Sequence, residues 1–267
     1  MKQMIAKRTG AVTVAAGAIL LVAGVVSSVL SRASAITAAA PESQVYLYAL
    51  SLIVALLGGI LVVSGLLRLQ NSSRREKTDI RTLALASLFA ALCYIGFSFF
   101  KFDIPAGTEK TAFHLGNVFC VLAALFLGGF WGGISGAVGM TIADLTSGYV
   151  TSAPKTFLLK LCIGLIVGLV AQKGFHLSRE HSRKQLMLGT VVSTAAGMAF
   201  NVIADPLVGF FYKTYVLGIP QDIAMTWAKI GAITTLVNAL VAVAAASVFY
   251  LALRPALQHA GLFQKTA

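Results

Sequence analysis

The chain has 267 residues, of which 58% are hydrophobic and only 11% are charged. A soluble domain of this length does not carry so large an apolar fraction, so the composition indicates a membrane protein. The net charge of +12 would suggest a nucleic-acid partner for a soluble protein. We expect no nucleic acid here, because the positions of the basic residues are explained by membrane topology.

Long apolar runs predict an all-α polytopic membrane protein. A hydrocarbon core of about 30 Å needs roughly 20 apolar residues per helix, and these runs have that length rather than the alternating pattern of a barrel strand. Eight spans are predicted, near residues 9–30, 45–67, 83–100, 114–130, 131–147, 156–171, 187–210 and 228–253.

Lys and Arg concentrate in alternate links between these spans. They precede the first span, fill the links at 68–81 and 173–184, and follow the eighth span. With eight crossings these segments all fall on one side of the membrane, and the positive-inside rule predicts that this side is the cytoplasm. Both termini are therefore predicted to be cytoplasmic.

The first two spans differ from the rest. They hold hardly any polar residue beyond Ser and Thr, which predicts an accessory transmembrane hairpin over residues 1–70. Ala33-Ser34-Ala35 resembles a signal-peptide cleavage site, but the apolar run before it is too long for a typical signal peptide, so we predict a retained anchor. The remaining organisation is predicted as a cytoplasmic linker, a six-helix substrate-binding core and a cytoplasmic tail, at 71–80, 81–255 and 256–267.

Polar side chains within the six-helix core gather at the span ends that the topology places outside. Such groups are costly in a bilayer and usually face a cavity or one another. We therefore predict a substrate-binding site loaded from outside, with the segment from Lys101 to Lys110 as a lid over it. Its lining is predicted to be His114, Asn117, Asp144, Tyr149, Lys160, Asn201, Asp205 and Asn238.

Structural roles remain open for several of these residues. The carboxylates of Asp144 and Asp205 can lock the bundle by pairing with Lys160 or Lys229, and Asn238 can form a hydrogen bond between helices. Tyr149 can be an ordinary aromatic residue of the membrane interface, and Lys155 can be a solvated loop residue.

Three other features predict no enzyme. Cysteines at 93, 120 and 162 lie in apolar runs without paired spacing, which favours buried small hydrophobic side chains over a disulfide or metal site. Gly133-Ile134-Ser135-Gly136 matches an intramembrane serine-protease motif, but its serine needs a histidine as base. His114, at the mouth of its span, is predicted at the opposite membrane face from Ser135, and the other histidines lie outside the spans. The sequence has no G-x-x-x-x-G-K-[ST] phosphate loop, so partner chains would have to supply energy from ATP. We expect no cofactor and no metal.

One segment carries a family resemblance. A glycine-rich span led by Gly116-Asn117 and containing GGFWGGISGAVGM is followed by ADLTSGY, APKTFLLK and GLIVGLVA. This order resembles the substrate-binding S component of energy-coupling factor (ECF) vitamin transporters, and the likeness covers about residues 80 to 255. The extra N-terminal hairpin and an amide at Asn117, where many relatives carry Asp, depart from the family pattern.

The resemblance implies a six-helix core that binds a small vitamin or precursor from outside. It also implies docking on a transmembrane coupling subunit with two cytoplasmic ATPase subunits, and toppling in the lipid to release the cargo inward. Ala86-x-x-x-Ala90 resembles the small-residue motif that contacts the coupling subunit, although such a pair can also serve internal packing. With it we predict a partner-contact face at Ala86, Ala90, Gly133 and Gly136.

A stand-alone secondary carrier for a small solute is the alternative function. Inverted repeats and paired broken helices would favour it, and neither is evident in the sequence. The cargo also stays open between riboflavin-like, pyridoxine-like, pyrimidine-like and pantothenate-like molecules.

Overall fold

The computed structural model of the protein describes residues 2–35, 42–70, 80–106, 109–179 and 182–260. Within these residues each predicted span corresponds to one helix. The helices are α1 (Lys2–Ala35), α2 (Glu42–Gln70), α3 (Ile80–Ser98), α4 (Gly116–Leu127), α5 (Gly129–Thr146), α6 (Ala153–Leu169), α7 (Arg183–Phe211) and α8 (Gln221–His259).

Among the described residues, four helical segments are long and apolar enough to cross a membrane by themselves: Ile80–Ser98, Val150–Gly174, Arg183–Val216 and Gln221–His259. Helix α4 has 12 residues, which corresponds to about 18 Å at 1.5 Å per residue. The predicted fold class, an all-α membrane protein, is confirmed. The count of eight spans and the cytoplasmic placement of the termini stay predictions.

Helix α4 passes directly into α5 through a single residue, Gly128. This glycine has φ of +82°, a backbone conformation that residues with a side chain rarely adopt. Its N–H donates to the carbonyl of Ala124 at 3.1 Å, which closes α4 before α5 begins. The break therefore falls two residues earlier than the sequence predicted.

A β-hairpin lies between α3 and α4, in the segment predicted as a lid. Strands β1 (Lys101–Ala106) and β2 (Glu109–His114) pair antiparallel, with Lys101 opposite His114 and Ala106 opposite Glu109. Helix α4 consequently begins at Gly116 and not at His114. The cause is the N–H of Leu115, which donates to carbonyls of the preceding segment, at Gly96 (3.0 Å) and Phe100 (3.3 Å), instead of entering a helix.

The chain divides into two compact units, one comprising residues 1–78 with 150–154 and the other comprising 79–149 with 155–267. In the first unit, α1 and α2 form an antiparallel pair. Gly24 lies against the backbone of Ala55, and a Cβ at this glycine would collide with it. Small residues thus allow the two helices to approach at backbone distance, as is common in lipid. Residues 71–79 of the predicted linker and residues 261–267 of the predicted tail lie outside the described residues.

The second unit, called the core below, is held together by the glycines of α5. A Cβ at Gly133 would lie 2.8 Å from the carbonyl oxygen of Leu161 in α6, and one at Gly136 would collide with the Cys120 sulfur in α4. On α3, Ala86 is buried and its carbonyl accepts a hydrogen bond from Ser135 Oγ at 2.9 Å, while the Ala90 carbonyl lies against α5. Three of the four residues predicted to contact a partner, Ala86, Gly133 and Gly136, are therefore buried by packing between helices, whereas Ala90 is partly exposed. The predicted partner contact stays a prediction.

Candidate functional site

The polar residues predicted for the site do converge at one end of the core. This hairpin end comprises the start of α4, the end of α5, the start of α6, the end of α7 and the first half of α8. Five polar side chains of these segments lie in residues no more than 7% exposed: Asn117, Asp144, Lys160, Asn201 and Asn238. Burying so many polar groups together is costly unless partners satisfy them.

Several polar side chains at this end carry a buried atom without a hydrogen-bond partner among the described residues. Among the described residues, no hydrogen bond reaches the buried atoms His114 Nδ1, Asn117 Oδ1, Asp144 Oδ2 and Asn201 Oδ1. Native proteins leave few buried polar atoms unpaired, and each such atom requires an explanation. Four of them gathered at one end of one unit make this cluster the candidate binding site, called the open cluster below.

Lys160 supplies a positive charge beside the open cluster. Its ammonium interacts electrostatically with the carboxylates of Asp144 and Asp205 and with His114. The hydroxyl of Thr156, one turn before Lys160, interacts with the Asp144 carboxylate. The cluster therefore offers a carboxylate, an ammonium and two amides within one buried region.

Asp205 forms a brace between helices rather than an open group. Its Oδ1 accepts from Lys155 Nζ at 2.7 Å, and its Oδ2 accepts from Thr235 Oγ1 at 2.8 Å. These bonds join α6, α7 and α8 at the hairpin end. The structural alternative from the sequence was right about pairing but wrong about the partner, which is Lys155 and not Lys160 or Lys229. Lys155 is also no solvated residue, since its side chain is only 13% exposed.

Asn238 connects α8 to the hairpin. Its Oδ1 accepts from the His114 N–H at 3.0 Å, and its Nδ2 donates to the Ala112 carbonyl at 2.9 Å. The amide thus continues the hydrogen bonding of strand β2 as a further strand would. The sequence suggested a cargo contact or a bond between helices, and the structure shows a bond from a helix to a strand.

Tyr149 likewise contacts the hairpin. Its hydroxyl donates to Asp103 Oδ1 at 2.8 Å, and the ammonium groups of Lys110 and Lys101 lie 4.6 and 5.1 Å from its ring centre. Burial opposes ionisation of Asp103, but hydrogen bonds from Tyr149, Lys110 and Lys101 lower the pKa of this carboxyl below its usual value. Burial and the bond to Asp103 raise the pKa of Tyr149, so its hydroxyl remains a donor.

Sequence reasoning missed three members of this region. Thr141 carries a buried hydroxyl with no hydrogen-bond partner among the described residues, and it lies three residues before Asp144. Thr235 lies three residues before Asn238, and Thr156 lies four residues before Lys160. The spacing of three and four residues on a helix was the available signal, because it places each threonine on the same face as the recognised polar residue.

The protease motif has no catalytic geometry. Ser135 is 1% exposed, and its hydroxyl donates to the carbonyls of Ala86 (2.9 Å) and Trp131 (2.8 Å). His114 lies at the hairpin end, far along the bundle from this serine. The hydroxyl therefore serves packing between α3 and α5.

Long apolar helices around a buried polar cluster define a multi-pass helical membrane protein with its polar chemistry at one end of the core. The family model of the ECF-type riboflavin transporter S component matches residues 77–255, and the chain belongs to this family. No curated protein and no solved structure gives a significant match. The resemblance found in the sequence is thus confirmed.

Membership of this family assigns the class of function. The chain is the substrate-binding subunit of an ECF transporter for vitamins, and it is a transporter subunit rather than an enzyme. Its partners are the transmembrane and ATPase subunits of the ECF module. This supports the transporter subunit over a stand-alone secondary carrier.

Proposed function

We propose that the open cluster is the site at which the protein binds its cargo, a vitamin or vitamin precursor captured from outside. The observation that carries the proposal is the set of buried, unpartnered atoms on His114, Asn117, Asp144 and Asn201. A cargo that hydrogen-bonds these atoms removes the free-energy cost of leaving them unpaired. Lys160 completes the proposed site as a donor.

The charges of the region favour an uncharged cargo. Lys155 and Asp205 neutralise each other in a direct pair, and the remaining carboxylate and ammonium, Asp144 and Lys160, are also balanced. The two amides each offer a donor and an acceptor. A neutral ring whose edge alternates N–H and carbonyl groups matches this arrangement, and riboflavin, the vitamin after which the matched family is called, has such an edge. An isolated carboxylate of a pantothenate-like cargo would upset the balance.

The hairpin is the proposed lid of the site. It spans the hairpin end, because its residues bond to Ser147 after α5, to Lys213 after α7 and to Asn238 in α8. With the predicted topology of eight spans and cytoplasmic termini, the lid faces the outside. Cargo would enter when the hairpin moves away from these attachments.

We further propose that the protein docks on the coupling subunit through the exposed face of α3. The small residues exposed on this helix are Ala84, Ser87 and Ala91, in contrast to the buried Ala86. A face of small residues lets a partner helix approach closely in lipid. Two cytoplasmic ATPases would drive release, and the large exposed apolar side chains of the core would contact membrane lipid.

Cargo identification tests the site most directly. Protein extracted in mild detergent is denatured, and released small molecules are identified by mass spectrometry; riboflavin, pyridoxine and pantothenate are then titrated into stripped protein. We expect riboflavin to bind most tightly, and Asn117→Leu and Asn201→Leu each to weaken it by about tenfold. Thr226→Val is the matched control, because this hydroxyl lies at the same end but bonds only its own helix in the structure.

Two outcomes would contradict the proposal. Full affinity in both asparagine variants would remove the open cluster from the site. Uptake by the chain alone, driven by an ion gradient in vesicles without ATPase subunits, would favour the secondary carrier instead.

A further inference from the structure

The hairpin is attached to the core in two different ways at its two ends. Its root is the Lys101 and His114 pair, and its turn end is the Ala106 and Glu109 pair. At the root, the side chain of Asn238, which is 6% exposed, makes two uncharged hydrogen bonds with the hairpin backbone, and nearby the Asp103 carboxylate accepts from Tyr149. The two bonds of Asn238 do not depend on ionisation and are little affected by salt, because no net charge takes part.

The turn end is held by charged side chains, one of which, Glu109, forms an ion pair with a residue outside the hairpin. Glu109 bonds Lys213, which follows α7, and the ammonium of Lys213 lies 4.6 Å from the centre of the Trp227 ring in α8. The two side chains are 21% and 15% exposed, so this pair is partly shielded from solvent. On the opposite side, Lys110 reaches the Ser147 carbonyl at 3.1 Å.

The two ion pairs near the turn end, Glu109 with Lys213 and Lys110 with Asp103, differ in solvent exposure and in what they connect. The pair of Lys110 with Asp103 is 37% and 36% exposed and lies within the hairpin itself, so it cannot restrain the hairpin against the helices. Exposed pairs contribute little in water, whereas a partly buried pair is screened less. The bond between Glu109 and Lys213 is therefore the stronger ionic link from the turn end to the helices.

We propose that Glu109 and Lys213 form a latch that holds the hairpin closed over the open cluster, and that Asn238 is the fixed point about which the hairpin swings. Breaking the latch frees the turn end, while the root stays bonded to α8. Glu109 and Lys213 are then positioning residues that set how fast cargo enters and leaves. This inference rests on the proposed function only where it concerns cargo.

The mechanical link to the open cluster runs through the root. His114 is the last residue of β2, and Asn117 lies in the first turn of α4. The ring of His114 packs on Phe97 with centroids 4.6 Å apart, and Phe97 packs on Tyr149 at 5.5 Å. Cargo that contacts His114 thus also reinforces the segment that carries the lid, so occupancy favours the closed hairpin.

Hydrogen–deuterium exchange on the complete, cargo-free chain in detergent tests the latch. We expect Glu109→Gln and Lys213→Gln each to increase exchange in strands β1 and β2 by about tenfold, since a charge-assisted bond becomes a neutral one. The exchanged pair, E109K with K213E, should restore slow exchange. Asp222→Asn is the control. It removes a carboxylate in the first turn of α8, and this carboxylate forms no ion pair among the described residues. Unchanged exchange in E109Q, or no restoration in the exchanged pair, would overturn the latch.

A second measurement links the latch to cargo. Riboflavin is loaded into the protein, and its release after dilution is followed by its fluorescence. The E109Q variant should release riboflavin about tenfold faster than the wild-type chain. The rate constant for association with the open form should be nearly unchanged. Equal release rates with a loosened hairpin would overturn the role in cargo exchange. If the wild-type chain binds no riboflavin, the proposed cargo fails, whereas the exchange experiment still decides the latch.

Discussion

The two ends of the core treat buried polar groups differently. At the hairpin end, side chains such as Asn117 and Asn201 are buried with an oxygen unpaired among the described residues. Towards the opposite end, the buried hydroxyls of Thr190, Ser193 and Thr194 all donate to carbonyls of their own helix, at 2.7, 2.6 and 3.0 Å. The first arrangement needs an external partner to be satisfied and the second does not. Among these residues, hydrogen bonding distinguishes side chains that could bind cargo from side chains that serve packing.

The surfaces of the core show a related contrast. Between α3, α4 and α8 lies a groove lined only by apolar side chains, among them Leu88, Leu92, Phe119, Phe126 and Phe249. It offers nothing that would select a polar solute. Selection is therefore expected only at the hairpin end, where amides, a carboxylate and an ammonium meet.

The largest expected effect comes from filling the packed region. Gly133→Leu should lower the free energy of unfolding by at least about 3 kcal/mol, because its side chain would meet the Leu161 carbonyl, which cannot move away. The thermal midpoint in detergent should fall by roughly 10 °C. Gly231→Leu is the matched control, since no atom lies within 4 Å of a Cβ there. Equal midpoints in both variants would contradict the close packing of α5 and α6.

Removing an unpaired polar group should separate stability from binding. Asn201→Leu should leave the midpoint of cargo-free protein unchanged or higher, because it removes an amide whose oxygen has no partner among the described residues. Affinity for riboflavin should fall by about tenfold or more. Thermal unfolding and titration on the same preparations give both values. A large loss of stability together with unchanged affinity would show that this group is structural.

Docking should respond to exposed small residues and not to buried ones. Ala84→Trp or Ala91→Trp should block copurification of the coupling subunit and leave cargo affinity unchanged within about twofold, because both residues are exposed on α3. Ala86→Trp should instead lower the thermal midpoint, since Ala86 is 5% exposed. Intact copurification in both exposed variants would move the docking surface elsewhere.

The smallest expected effect is a pH dependence of the hairpin. The pKa of Asp103 is lowered in the folded protein by bonds from Tyr149, Lys110 and Lys101, against the opposing effect of burial. A lowered pKa stabilises the ionised form, so this contribution is complete above about pH 5 and is lost as the pH falls below about 4. Hairpin exchange, corrected for intrinsic rates, should be flat between about pH 5 and 8 and rise in acid. Measured in the Glu109→Gln background, which removes the other paired carboxylate of the hairpin, Asp103→Asn should abolish the rise, and a rise that persists would assign it to another group.

Composition and hydropathy were sufficient for the helices of the core, because a spanning segment must satisfy its backbone internally and be apolar over a fixed length. The same cost of burying polar groups identified His114, Asn117, Asp144 and Asn201 as site candidates. Helix ends lay within four residues of the prediction for α2 to α7, whereas α1 and α8 extend five to seven residues beyond the predicted spans. The start of α4 is set by the backbone of Leu115, which bonds to Gly96 in α3, a contact between distant residues that no local pattern encodes.

Only the tertiary structure distinguished the roles of these polar residues. Asn201 and Asn238 are the same residue type at similar depth, yet one has an unpaired oxygen and the other holds strand β2 through Ala112 and His114. The sequence likewise showed small residues at Ala86 and Gly133 but not which neighbour they face. The physical reason is that composition fixes the cost of burying a group, whereas the arrangement of the helices decides which partner offsets that cost.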